Sequence, residues 1–391
     1  MKIAWALIAS IFLLFAIVLG TFYSYGVFLN QIRTEFGTVN AVGSWLFAVT
    51  FVIFSSTGMV GGTLVDKYGA RLVVFAGMIF FSVGLYLTTR SVNTYQVFAL
   101  YALSVGIGSG CTYVPLLTVI GKSFDKRRAR ANAANAIALS GVGLGTALMS
   151  YLITSLLSRY GWRQAYTIVA ALGVVAYLMC LLLLDDNNVA VPASKSTEKR
   201  VIDWSIFKRL YVANLLSTII QHVPFVFLVT YARSLGSDEV SSSLLIGTIG
   251  VSNVIGRLGL GIISPKYRVV PLYKASMLAM ALVYVLWFGS AYLGPAFYAL
   301  VAFACIFGFF YGLYLASFPG VLAEFFGVRN LGFVMGRSYT AGGVGAVIGL
   351  PLLGFMLDLK VDLSILSVLM LVLGIVSYLI VMGLTPKKAE P

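Results

Sequence analysis

Strongly apolar stretches separated by short polar interruptions recur along the whole of this chain, and twelve can be counted. They fall at 4–31, 41–63, 71–89, 94–120, 131–155, 163–184, 210–232, 241–263, 271–290, 295–323, 332–357 and 362–384. Each approaches or exceeds the roughly 20 residues that a helix needs to cross a hydrocarbon core. The short alternating segments of a barrel are missing, so satisfying backbone polar groups in lipid leaves helices as the only spanning structure. The pattern predicts an all-α membrane protein of twelve transmembrane helices. Composition agrees, with 60% of residues hydrophobic and 10% charged and a mean hydropathy of +0.97, values outside the range of soluble domains.

The longest interruption follows the sixth stretch. It divides the chain into an N-terminal six-helix half (1–184), a linker (185–209) and a C-terminal six-helix half (210–391). Internal similarity points to a duplication. At an offset of 199, Gly62, Lys67 and Tyr68 match Gly261, Lys266 and Tyr267; at 202, Phe124, Arg127, Gly141 and Gly143 match Phe326, Arg329, Gly343 and Gly345. Two such halves, related by an axis along the membrane normal, place a substrate cavity between them near mid-membrane, with access alternating as one half rocks on the other. Glycine clusters at 106, 108 and 110, at 141, 143 and 145, and at 342, 343, 345 and 349 suit close helix contacts, whether static or sliding.

Cations set the expected orientation, because Lys and Arg are retained on the cytoplasmic side. With both termini inside, twenty of the 27 cations fall at or near the cytoplasmic ends and six at or near the outer ends, leaving Arg257 as the one cation deep within a span. The net charge of +14 is thereby explained by topology, with contact to anionic lipid heads expected and no nucleic-acid partner required. The expected location is an integral plasma (inner) membrane. The first apolar run follows Lys2 but is too long for a secretory signal, and Tyr23, Tyr25 and Phe28 stand where small residues would mark cleavage, so it reads as a retained helix. Cys111, Cys180 and Cys305 are scattered through apolar runs, without disulfide or metal spacing.

Arg257 is the most informative residue. It stands seven residues before Ser264, about 10 Å from that helix end at 1.5 Å per residue. A charge at such depth marks an ion or substrate path, and its planar fork can bind a carboxylate through two parallel hydrogen bonds. The structural alternative is a side chain that snorkels to the headgroups. Asn253, one turn earlier on the same face, can donate to a carboxylate or bond a neighbouring helix. His222, the only histidine, lies two residues before Pro224 in the seventh span. It is a proton-coupling candidate or a helix–helix hydrogen-bond partner. None of the thirteen carboxylates falls in the interior of an apolar stretch, Asp362 standing at the very start of the last.

Two loop motifs carry a family resemblance. The first, Gly62-Thr-Leu-Val-Asp66-Lys67-Tyr-Gly69-Ala-Arg71, resembles the signature between the second and third helices of the major facilitator superfamily. Asp66, Lys67 and Arg71 are accordingly gating candidates, an acid at a helix end being able to latch one conformation. The second is Ser123-Phe124-Asp125-Lys126-Arg127-Arg128-Ala129-Arg130-Ala131, opening the fifth helix. It is similar to the monocarboxylate transporter family, as is the end of the first helix, Tyr25-Gly26-Val27-Phe28 followed by Glu35-Phe36-Gly37. The sequence departs from that family twice. No intramembrane Lys stands in the first helix, and the Asp of the family's eighth helix is Asn253 here.

The resemblance implies the twelve-helix major facilitator fold and movement of a small monocarboxylate such as lactate or pyruvate, with a proton, by alternating access. Helices that face the centre of that fold supply further cavity candidates: Tyr113, Tyr311 and Tyr314 for hydroxyls, and Phe22, Leu139 and Phe318 for an apolar wall. Packing is the alternative for each. The expected partners are a monocarboxylate anion, a proton and the bilayer, for a chain working as a monomer. Catalysis is not expected, because no nucleophile–base pair, metal cluster or phosphate loop is visible, and neither is a cofactor. An oxalate/formate-type anion exchanger is the alternative transporter, although it would want a second intramembrane cation. A non-transporting membrane anion sensor is the alternative outside transport, although no loop is long enough for an output module.

Overall fold

The computed structural model describes residues 2–123, 128–184, 202–263, 268–292, 296–327 and 331–385. At helical positions 2–4, 62–63, 66, 121–123, 128–133, 136, 261–263, 331–333 and 336 only the backbone is described. Among the described residues every regular element is helical.

Eleven helical stretches are long and apolar enough to cross a membrane, and one of them holds two spans. That stretch, α7 (Arg128–Leu183), is interrupted at Gly161, whose φ of 74° and ψ of 167° no β-carbon residue adopts readily. Twelve spans result. The first is α1 (Lys2–Tyr23) continued by α2 (Tyr25–Phe36), and the second is α3 (Asn40–Tyr68). The third joins α4 (Ala70–Met78), a π-helical turn Ile79–Val83 and α5 (Gly84–Thr88), and the fourth is α6 (Thr94–Ser123). The two parts of α7 are the fifth and sixth. The C-terminal half follows with α8 (Trp204–Ser234), α9 (Glu239–Ile263), α10 (Val269–Leu282) continued by α11 (Tyr284–Ser290), α12 (Ala296–Phe326), α13 (Leu331–Asp358) and α14 (Leu363–Met382). The seventh helix begins at Trp204, inside the stretch expected as linker, because Asp203 caps it by accepting from the Ser205 and Ile206 amides at 3.0 and 3.2 Å. It runs unbroken through Pro224.

The two halves repeat one packing scheme. In the N-terminal half α1 packs on the first part of α7, and α3 on α6; in the C-terminal half α8 packs on α13, and α9 on α12. Glycines make these approaches possible. A methyl at Gly106 would lie 2.9 Å from Thr50 O, and at Gly110 2.8 Å from Phe54 O. Their counterparts 202 positions on are Gly308, where it would meet Ile249 O at 2.5 Å, and Gly312, pressed on Asn253 O. The recurrence of Gly106 and Gly110 at Gly308 and Gly312 is therefore a recurrence of helix contacts, whereas the matched Gly141 and Gly343 face different helices, at Phe12 of α1 and Ser55 of α3. The halves meet along two seams, α3 on α13 and α7 on α9.

One end of the bundle bears Lys67, Arg71 and Arg268 and is its basic end; the far end bears Glu35, Asp238, Asp358 and Asp362. At the far end the halves are tied by hydrogen bonds. Both Asp358 carboxylate oxygens accept from α3, from Asn40 N (2.8 Å), Asn40 Nδ2 (2.9 Å) and Ala41 N (2.8 Å). Gln31 donates to Glu239 at 3.1 Å and Thr230 to Asn30 at 3.1 Å.

Because Gly312 meets a backbone carbonyl, which has no rotamer to retreat to, Gly312→Ala is expected to destabilise the protein by about 1–3 kcal/mol. Gly259 faces nothing nearer than the Phe309 ring at 3.7 Å, so Gly259→Ala should leave the melting temperature in detergent unchanged or raised. Equal melting temperatures for the two variants would refute this account of the α9–α12 contact.

Candidate functional site

Arg257 sits on α9, half-buried. Its Nε donates to Asn253 Oδ1 at 2.8 Å, one turn back on the same helix. That bond fixes the geometry of both side chains. Among the described residues it leaves the Nη edge of the guanidinium without a hydrogen bond, and the Asn253 Nδ2 donor, on a residue only 4% exposed, without an acceptor. No carboxylate pairs with Arg257 among the described residues, where the one salt bridge is Arg163–Glu35 at 2.5 Å. A buried donor that lacks a partner costs about 1–3 kcal/mol, more for a charged group. The arrangement is two adjacent donors, one cationic, awaiting an acceptor.

The space at this donor set is small. A cavity of about 10 Å³, near the minimum for a single water, is bordered by Arg257 and Asn253 together with Tyr23, Thr146, Phe225 and Tyr311. Tyr23 and Thr146 come from the N-terminal half and the others from the C-terminal half, so the site lies between the halves. The phenols of Tyr23, Tyr113, Tyr311 and Tyr339 all lie within electrostatic reach of the guanidinium.

Tyr113 and Tyr311 are thus brought to Arg257, and Tyr311 borders its cavity. Phe22 is packed against the rings of Tyr23, Phe47, Phe51 and Phe54 at 5.2–6.2 Å and stands behind the site as a wall. Leu139, half-buried on α7, packs on the core one turn before Gly143. Tyr314 and Phe318 lie elsewhere. The Tyr314 hydroxyl donates to Asn214 Oδ1 at 2.8 Å and accepts from Tyr273 at 3.4 Å, and Phe318 stacks on Tyr273 at 5.9 Å, all within the C-terminal half. Three residues along a helix turn Tyr314 about 60° from Tyr311, enough to face α8 and α10 instead of the cavity.

His222 is 3% exposed, its ring centroid 4.5 Å from Phe51 and 5.7 Å from Phe47 of the other half. Its Nδ1 is 2.8 Å from Thr218 O, and a carbonyl only accepts, so Nδ1 carries the proton. Nε2 is left as a bare acceptor with no partner among the described residues. Lys67 is exposed, its Nζ 5.0 Å over the Tyr68 ring, and Arg71 is also exposed. The Asp66 side chain lies outside the described residues, as do 124–127 of the second loop motif. Gly69 closes α3 with φ 84°, a conformation suited to the glycine of the first motif.

Sequence reasoning missed Tyr23, Phe225, Thr146 and Tyr339. Their one legible signal was a polar atom inside an apolar span, which Tyr23, Thr146 and Tyr339 share with many residues that turn out to be packed.

The sequence profile of the Major Facilitator Superfamily matches residues 11–293 and 210–391 of the chain. The chain is 28% identical over 364 residues to monocarboxylate transporter 13 of Bos taurus, across 90% of this chain and 83% of that protein. It is 26% identical over 374 residues to monocarboxylate transporter 4 of Gallus gallus, across 91% and 77%. Among solved structures, a mutant of the nucleoside transporter NupG superposes with a TM-score of 0.79 over 97% of this chain and 99% of that one, at 14% identity, a likeness of fold.

Proposed function

The chain belongs to the major facilitator superfamily, and we propose that within it this protein is a proton-coupled carrier of small monocarboxylates of the lactate and pyruvate type. The carrying observation is the uncommitted donor set between the halves, the Nη edge of Arg257 beside Asn253 Nδ2. A carboxylate satisfies both, and one cation matches one negative charge. The similarity to monocarboxylate transporters at 26–28% identity supports the same cargo.

The mechanism follows from the electrostatics. An unpaired charge is expensive in a closed, water-poor cavity. An anion on Arg257 removes that cost, so the loaded carrier closes around the site more readily than the empty one. The positive-inside rule makes the basic end cytoplasmic, so the hydrogen bonds at the far end seal the outer side. His222, with Nε2 unpaired between the halves, is the proposed proton carrier, and Asp66, Lys67 and Arg71 the proposed gate at the cytoplasmic end.

The test is uptake of labelled L-lactate into proteoliposomes, against protein-free liposomes. For a one-to-one symport, an inward acid gradient of one pH unit should drive up to about tenfold accumulation beyond that control. His222→Gln should lose the gradient response and keep lactate–lactate exchange. If the gradient does nothing for wild type, symport is wrong and exchange remains; if dicarboxylates compete as well as lactate, the single-charge reading is wrong.

A further inference from the structure

The seam between α3 and α13 is tight at the far end and parts toward the basic end. A methyl at Gly354 would lie 2.8 Å from Asn40 O. At Gly343, about three turns nearer the basic end, it would meet nothing closer than Ser55 Oγ at 3.3 Å and Val52 at 3.5 Å. Where the helices part, a groove of about 340 Å³ runs between Val52, Ser56 and Met59 of α3 and Tyr339, Val344 and Ile348 of α13. Ser56 and Met59 on one wall and Val344 and Ile348 on the other are exposed on the surface of the bundle. Val344 and Ile348 continue into Leu352 and Phe355, exposed at helical spacing along the same face of α13, which is the face such a span turns to lipid. The groove therefore opens to the bilayer.

Its walls suit a hydrocarbon chain. The Ser55 hydroxyl donates to Val52 O at 3.1 Å and that of Thr340 to Arg337 O at 2.7 Å, so both are already engaged. Nine residues separate Tyr339 from Ile348, about 14 Å along the helix and close to half of a hydrocarbon core of roughly 30 Å, the depth of one leaflet. The end of the groove that meets the headgroups is charged. Arg337 is exposed one turn beyond Thr340 toward the basic end, and on the other wall the exposed Lys67 follows Met59 by about 12 Å of helix. The positive-inside rule places both cations at the cytoplasmic leaflet, the one whose surface carries the acidic lipids.

We propose that one acidic phospholipid of the cytoplasmic leaflet is bound at this seam between the halves, with an acyl chain in the α3–α13 groove and its phosphate at Arg337. The seat is independent of the cargo assigned to Arg257.

Native mass spectrometry tests it on the purified protein, delipidated in detergent and then given equal amounts of phosphatidylglycerol and phosphatidylcholine with the same chains. A basic side chain at the membrane surface is worth about fivefold in holding an anionic head. Wild type is therefore expected to keep a single lipid and to prefer phosphatidylglycerol by about that factor. Arg337→Gln should still keep a lipid but lose the preference. Ser56→Phe and Val344→Phe, both at exposed positions, fill the groove from its two sides and should each lower lipid retention at least about fivefold. Leu352→Phe, on the same stripe of α13 but outside the groove, should leave retention unchanged. Retention that survives both filled variants, or that Leu352→Phe lowers equally, would mean bulk annular lipid only and would overturn the seat. Equal retention of the two lipids by wild type, or a preference that survives Arg337→Gln, would overturn the head assignment and the proposal with it.

Discussion

Replacing Arg257 by glutamine is expected to weaken L-lactate binding by between about tenfold and about a hundredfold, the range set by about 1.5–3 kcal/mol for a charge-assisted hydrogen bond. Glutamine retains a polar head but neither the charge nor the planar fork. Uptake at low lactate concentration should fall by the same factor. Stability should move the other way. A cation without a counter-charge inside a span costs about 2.5–3.5 kcal/mol on insertion scales, and here the Nη edge has no partner among the described residues. Arg257→Gln should therefore melt at an equal or higher temperature than wild type, which separates a binding defect from misfolding. Arg257→Lys restores charge without the fork and should recover only part of the affinity. Normal lactate uptake by Arg257→Gln would end the site assignment.

Asp358→Ala should open the far end. The start of α3 has no cap of its own, because Val39 precedes it and offers no acceptor. Three other helices are capped locally: Asp203 serves α8, Asp238 serves α9 and Asp362 serves α14. The Ser241 hydroxyl, helped by the Ser241 and Val240 amides, holds the Asp238 carboxyl below its ordinary range. For α3 the acceptor comes instead from the other half, where Asp358 takes the Asn40 and Ala41 amides. Separating the halves at this end exposes an uncapped helix, so the aspartate favours the closed arrangement. Loss of a cap costs about 0.5–2 kcal/mol, which shifts the equilibrium toward the open state by between about twofold and about thirtyfold. Ser44, fully buried beneath Gly354, reports the change. In a Cys305→Ser background, Ser44→Cys should react faster with an impermeant maleimide when Asp358→Ala is added. An unchanged labelling rate would mean that these hydrogen bonds do not hold the end shut.

The spans were legible because lipid imposes a length and a composition that leave little choice, and all twelve expected stretches coincide with helices to within a few residues. The duplication was legible in matches such as Gly62, Lys67 and Tyr68 with Gly261, Lys266 and Tyr267, while the recurrence of Gly106 and Gly110 at Gly308 and Gly312 stands out only once the backbone approaches are seen. Arg257 was legible because a charge in an apolar span is costly enough to stand out against any background.

Rotational phase was not legible. A helix that is apolar all round shows no stripe to say which side faces the centre, so Phe22 and Tyr314 looked as suitable as Tyr23 and Tyr311. The close fit of α9 on α12 through Gly308 and Gly312 turns Tyr311 to the cavity and Tyr314 to Asn214. Asp358 escaped notice for another reason, since its partners Asn40 and Ala41 lie more than 300 positions away.

Hydrocarbon thickness and charge burial act on each segment separately, so the number of helices, their pairing into halves and the presence of one embedded cation are written in the order of residues. Which donors stay unpaired, where the free volume lies beside them and which end is tied shut depend on how twelve nearly featureless cylinders settle against one another. Those outcomes come from contacts between distant segments, and they exist only once the bundle has packed.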